Sequence, residues 1–249
     1  MKSNSFLSLI GVIALASPSA EAVTVVYSTD FNSPTYSDGG LIGQDSWVLT
    51  NSTTNPIAVA NTAVNGTVTL TTTGQDVRRA FTPTTSGSVY LKADITVGSA
   101  QTSGDYFLHL GDNSASNFYA RTYIKSTAGG FLMALGTGSG AVTYGTTVLS
   151  LGTTYTILVR YDIIAGTGND TGALFINPTT SDGSGDTAYV AATTIGTDAT
   201  TISSVSLRQG GNTAAPGVTI DNISVAVPEP SGAAIIGSIG VLGLLRRRR

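Results

Sequence analysis

The chemistry open to this chain is narrowed by what its long central stretch lacks. Between Val23 and Ala226 every carboxylate side chain is an aspartate, because Glu21 and Glu229 both lie outside it. Cysteine is absent and His109 is the single histidine. Glycosidic cleavage with retention needs two carboxyls about 5–5.5 Å apart, one with a raised pKa. No Asp-x-Asp or Asp-x-x-Asp pair stands on an expected strand, and Asp105 and Asp112 flank a strand instead of sharing a face of it. A Ser–His–Asp device would need His109, and no Gly-x-Ser-x-Gly elbow accompanies it. Strict alternation sets His109 opposite Leu108 and Leu110, on the side of Phe107, as a wall or interface residue. These residues point away from an enzyme.

Binding chemistry is better represented. Tyr119, Arg121 and Tyr123 share parity in one short run and are expected to form a polar-aromatic stripe that could bind a sugar, or simply the solvent face of a sheet. Tyr144 and Trp47 are further aromatic candidates, although Trp47, between Ser46 and Val48, is expected in the core. A lone histidine without cysteine excludes an ordinary zinc site. Calcium takes six to eight oxygen ligands. The loop Asp182-Gly183-Ser184-Gly185-Asp186 has that oxygen-rich character, so Asp182 and Asp186 are the candidates for one weak calcium ion at a sandwich edge, against the alternative that they only form a turn. Gly168-Asn169-Asp170 and Asp112-Asn113 carry the same two readings.

The elements that must position these groups read as β throughout. Ser88–Val97 alternates cleanly, with Val89, Leu91, Ala93, Ile95 and Val97 on one face. Thr154–Asp162 sets Tyr155, Ile157, Val159 and Tyr161 on one side. Further strands are expected at Val23–Tyr27, Val64–Thr72, Tyr106–Leu110, Phe118–Lys125, Phe131–Leu135, Ala173–Asn177, Ser203–Arg208 and Val218–Val225. Glycine-rich clusters such as Gly136–Gly140, Gly166–Asp170 and Ser181–Asp186 separate them. Short strands with such turns, and no sustained helical period outside the two ends, predict an all-β, two-sheet antiparallel jelly-roll sandwich.

Both ends stand apart from that domain. Lys2, the apolar run Phe6–Ala16 and the small-x-small site Ala20-Glu21-Ala22 form a secretory signal peptide over residues 1–22, cut by signal peptidase after Ala22. At the other end, Val227-Pro228-Glu229-Pro230 precedes uncharged Ser231–Leu245 and then Arg246, Arg247, Arg248 and Arg249. As a helix that apolar run would reach roughly 22 Å at 1.5 Å per residue, short of the ~30 Å hydrocarbon core, with the arginines held on the cytoplasmic side. The full chain has a net charge of −3. Residues 23–226 alone carry seven cations and thirteen aspartates. Such an acidic domain without a basic run is excluded as a nucleic-acid binder.

The order Val-Pro-Glu-Pro, short apolar helix, arginine cluster over residues 227–249 resembles the PEP-CTERM sorting signal of Gram-negative bacteria. The resemblance implies export across the inner membrane, a transient membrane anchor, and handling by a membrane exosortase; a plain C-terminal anchor is the alternative. Within residues 23–226, the series Asp105–Gly111, Phe118–Arg121, Leu151–Tyr155, Val159–Asp162, Ala173–Pro178, Val205–Gly211 and Ile220–Val225 resembles the laminin-G-like, concanavalin A-like jelly rolls of many exported proteins of that kind. Glycosidases of this fold class carry a Glu-x-Asp-x-(x)-Glu strand, which a domain without glutamate cannot contain. The resemblance implies a structural or adhesive protein of the cell surface or extracellular polysaccharide matrix, or alternatively a lectin with a specific glycan ligand.

Overall fold

The computed structural model describes residues 21–51, 54–71, 73–136, 142–194, 198–210 and 217–229. Most of the expected signal peptide, including Ala20, and the tail from Pro230 through the apolar run to Arg246–Arg249 lie outside the described residues. Among the described residues, no helix is long and apolar enough to cross a membrane.

The described chain is all-β. Its strands are β1 (Val23–Thr29), β2 (Gly39–Gly40), β3 (Val48–Leu49), β4 (Ala58–Ala60), β5 (Thr67–Leu70), β6 (Asp76–Thr84), β7 (Gly87–Ser99) and β8 (Asp105–Gly111). They continue as β9 (Phe118–Thr127), β10 (Gly130–Gly136), β11 (Thr143–Tyr144), β12 (Thr154–Ile163), β13 (Thr171–Ile176), β14 (Val190–Thr194), β15 (Ile202–Arg208) and β16 (Gly217–Pro228). One nine-stranded sheet runs β14-β13-β12-β7-β16-β5-β4-β2, with β1 also paired to β16. The other, seven-stranded, runs β11-β10-β9-β8-β15-β6-β3. Every pairing is antiparallel, and neighbours distant in sequence, such as β7–β16 and β8–β15, give the crossing connections of a jelly-roll sandwich.

Alternation builds the core between the sheets as expected. Val89, Leu91, Ala93, Ile95 and Val97 of β7 are all buried, as are Ile157, Val159 and Tyr161 of β12. Trp47 is fully buried, stacked near Phe31 at 6.5 Å between ring centres, with its indole N–H donating to the Tyr36 hydroxyl at 3.1 Å. Tyr27 and Tyr36 both donate to Asp45, which also pairs with Arg79. Burial raises both phenol pKa values, so these hydroxyls remain donors.

Three expectations shift. The strand expected at Val64–Thr72 is shorter: Val64 is 88% exposed in a turn closed on Asn61, and pairing begins at Thr67. Strand β6 had no alternation signal, because Arg78-Arg79 and Pro83 interrupt it. The third shift concerns Phe107, expected beside His109, and the tyrosine stripe, and arises from two β-bulges, described below.

Val227 and Pro228 of the expected sorting motif form the end of β16, paired with Thr24 and Val23 of β1. The Glu229 N–H donates to the Ala22 carbonyl at 2.8 Å. Glu21 accepts from the Tyr90 hydroxyl at 3.3 Å, and its N–H donates to Asp182 at 2.6 Å. The two ends of the domain thus meet on one sheet.

Candidate functional site

In β9 the tyrosine stripe is broken by backbone geometry. Ala120 has a left-handed backbone, at φ 47, and it interrupts the pairing of β8 with β9. A bulge places two residues of one strand against one of its partner and reverses the parity that follows. Tyr119 therefore turns inward: it is only 8% exposed and packs edge-on against buried Tyr161 at 6.0 Å. Phe118 takes the outward place. The outward series is Phe118, Arg121, Tyr123 and Lys125, so Arg121 and Tyr123 keep their expected face and Tyr119 does not.

A second irregularity lies in β8, where the register shifts between Tyr106 and Leu108. Phe107, Leu108 and Leu110 all enter the core, while Tyr106 and His109 share the outer face. His109 therefore does not side with Phe107. It is 5% exposed and lies against Phe118 at 4.7 Å and Tyr106 at 5.8 Å between ring centres. Its Nδ1–H donates to the Leu110 carbonyl at 2.9 Å. Burial, with Arg121 and Arg208 nearby, pushes its pKa down to about 4, so the ring is neutral near pH 7.

These two bulges gather a continuous aromatic and cationic face on the outside of the seven-stranded sheet. Tyr106 lies 5.4 Å from Tyr123 and 6.4 Å from Phe118. The Arg208 guanidinium sits 4.1 Å from the centre of the Tyr106 ring. Arg121 is 4.8 Å from the same ring and 5.2 Å from Phe118. Lys125 Nζ stands 3.9 Å over Tyr144 of β11. At these distances each cation is attracted by the quadrupole of its ring. Two glycines make room for the rings: a Cβ on Gly136 would come within 2.8 Å of Tyr123, and one on Gly104, at φ +76, within 2.1 Å of the Tyr144 hydroxyl.

Carboxylates hold one end of this face. Arg208 Nη1 donates to Asp105 at 2.7 Å and to the Tyr106 carbonyl at 3.2 Å, and its Nε lies 3.9 Å from Asp76. Asp76 also accepts from the Gln209 N–H and from the Asn51 side chain. Burial raises its pKa to about 6 against the opposing pull of Gln209 and Arg208.

The carboxylates of the expected calcium loop accept hydrogen bonds from neighbouring backbone and hydroxyl groups. Asp182 accepts from the Glu21 and Ser184 N–H groups at 2.6 and 3.0 Å. Asp186 accepts from the Thr179 hydroxyl at 2.7 Å and from the Thr179 and Thr180 N–H groups. The pKa of Asp182 is lowered because these bonds outweigh its burial, and that of Asp186 is lowered chiefly by Thr179. The hairpin closes over Phe175, whose ring a Cβ on Gly183 would approach to 2.8 Å. Asp170 is also spent internally, accepting from the Tyr161 hydroxyl at 2.7 Å and the Ala199 N–H at 2.8 Å. Among the described residues, no three His, Cys, Asp or Glu side chains form a group that could hold a metal ion.

On the nine-stranded sheet a polar cleft of about 490 Å³ is lined by Ser28, Asp30, Lys92, Asp94, Asn222 and their neighbours, without an aromatic ring.

No protein-family model matches this chain, and no curated protein matches it. Its fold is shared with solved structures. An alginate lyase, Aly36B, in complex with alginate tetrasaccharide is 15% identical with a TM-score of 0.53, over 81% of this chain and 97% of that one. The CBM2 module of the evolved Dit of Lactobacillus casei BL23 phage J-1 is 12% identical with a TM-score of 0.51, over 86% of this chain and 99% of that one. At these identities the likeness is one of fold.

Proposed function

We propose that this is an exported carbohydrate-binding protein with a structural or adhesive role at the cell surface or in an extracellular polysaccharide matrix. Its binding surface is the outer face of the seven-stranded sheet. The observation that carries this reading is the half-exposed cluster of Tyr106, Phe118 and Tyr123 beside Arg121, Arg208 and Lys125. Aromatic edges and faces pack against the apolar faces of sugar rings, while fixed cationic donors bond hydroxyl and carboxyl oxygens. Two solved structures of similar fold, one complexed with an alginate tetrasaccharide and one named as a carbohydrate-binding module type, support the same class of ligand.

The reading is binding without turnover. His109 is buried with Nδ1 committed to a carbonyl, and Asp76 and Asp105 both face Arg208. Export rests on the signal-peptide pattern of residues 1–22 and on the PEP-CTERM-like residues 227–249, with signal peptidase and exosortase as the processing partners. A glycan array tests the function. Saturable binding that Tyr106→Ala abolishes in a folded variant is the expected result. A blank array overturns it, as does release of product from a bound polysaccharide.

A further inference from the structure

The binding face differs from the rest of the domain in the sign of its charge. Residues 23–226 hold seven cations and thirteen aspartates. Four of those cations reach the outer face of the seven-stranded sheet. Arg208 and Arg78 lie on the same side of β15 and β6, because Arg208 pairs with Asp76, Arg78 pairs with Ser206, and the intervening Leu207 and Val77 are buried. Arg121 and Lys125 lie on the corresponding side of β9. Only two of the thirteen carboxylates, Asp76 and Asp105, are placed among them, and both are directed at one guanidinium. An acidic domain that concentrates its cations on one face presents a local positive potential there and a negative one elsewhere.

The aromatic rings on that face are already in use. Two guanidinium groups lie over or beside Tyr106, one of them also against Phe118, and an ammonium lies over Tyr144. A neutral sugar stacking on Tyr106 would have to compete with Arg208 and Arg121 for the ring. An anionic sugar would not, because its charged group is received by the cations that the rings hold in place. A guanidinium kept in one orientation before the ligand arrives loses little freedom on binding, and its parallel N–H pair matches the two oxygens of a carboxylate.

We propose that the ligand of this face is an acidic polysaccharide built from uronic acid residues, with a uronate carboxylate received by Arg121 and neighbouring residues of the chain carried along Lys125 and Arg208. This rests on the carbohydrate-binding reading above and narrows it to one charge class. The opposite sheet cannot take the same ligand, since its cleft sets Asp30 and Asp94 against Lys92 alone.

A matched pair of ligands separates the two claims. The purified protein is titrated by calorimetry with hexagalacturonate and with the same hexamer after reduction of its carboxyl groups to alcohols. Binding of the charged hexamer at least about tenfold tighter than the reduced one, weakening severalfold between 50 and 300 mM NaCl, is the expected result. Arg121→Gln, shown to be folded by an unchanged melting temperature, should remove that preference, and Arg121→Lys should restore part of it. Equal affinity for the two hexamers overturns the acidic ligand while leaving carbohydrate binding intact. Binding of neither overturns the acidic ligand, and the glycan array then decides whether carbohydrate binding stands. A charge preference that survives in Arg121→Gln overturns the assignment of the carboxylate site.

Discussion

On the nine-stranded sheet the outward residues bond to one another. Thr96 and Thr154 share a hydrogen bond across β7 and β12 at 2.7 Å, the Thr156 hydroxyl donates to Asp94 at 2.5 Å, and Asn222 donates to the same carboxylate at 2.9 Å. The apolar outward residues of that sheet, Tyr90, Leu158, Ala173, Phe175 and Ala226, form a small second core beneath Ala188 and the hairpin carrying Asp182 and Asp186. On the seven-stranded sheet the outward aromatics Tyr106, Phe118 and Tyr123 are half exposed, and cations lie against them. The same pleated scaffold thus yields a face that contributes to stability and the face proposed to meet a ligand. What separates them among the described residues is cover: one aromatic cluster is sealed by chain, and the other is flanked by cations.

Truncating a ring on the sealed face should therefore cost stability and leave binding alone. Phe175→Ala is expected to lose about 3–5 kcal/mol, measured by denaturant unfolding, with glycan affinity unchanged in the surviving folded protein. Tyr119→Ala and Phe118→Ala sharpen the comparison within one strand. Tyr119→Ala should cost about 3 kcal/mol because it empties core space beside Tyr161, while Phe118→Ala should weaken glycan binding by about tenfold, a hot-spot-sized loss, with a smaller effect on stability. If the two residues exchange these effects, the bulge at Ala120 is misplaced.

Acid should act through the ligand face more than the sealed one. The native pKa of His109 is about 4, below its ordinary 6.5, so the unfolded chain binds the proton more readily. Stability that is complete above pH 6.5 is expected to fall between pH 6.5 and 4, by up to about 3 kcal/mol. Asp76 acts in the opposite direction: its native pKa is raised to about 6, so its burial is penalised less as pH falls through 6 towards 4. His109→Gln should flatten the acid loss in a pH series of unfolding curves, and Asp76→Asn should steepen it. The smallest effect belongs to the hydroxyl ladder. Thr96→Val should change stability by about 1 kcal/mol or less, with no effect on glycan binding.

The sequence made the sandwich legible because most strands keep period two: β7 and β12 bury the residues that alternation assigns to the core. The ligand face was only half legible. Arg121 and Tyr123 lie where parity puts them, and His109 lies opposite Leu108 and Leu110, but Tyr119 and Phe107 turn inward, because alternation cannot be counted through a bulge. Ala120 gives no warning of its left-handed φ, as a glycine or asparagine would. Tyr106, Phe118 and Arg208 were missed as site residues for a different reason. They sit on strands separated in sequence, and only the pairing of β8 with β9 and β15 brings them together. The Asp182–Asp186 loop was legible as a turn. Its oxygen-rich composition suggested a cation or a turn, and its carboxylates accept N–H and O–H groups within the hairpin that lies over Phe175.

The account stands on which of the two outer faces meets the ligand. Amide chemical-shift mapping during titration of the isotope-labelled protein with hexagalacturonate measures this directly. The account predicts shifts centred on Tyr106, Phe118, Arg121, Tyr123 and Arg208, with Lys92, Asp94, Thr96 and Asn222 unmoved. Shifts centred on Lys92, Asp94 and Asn222 would contradict it.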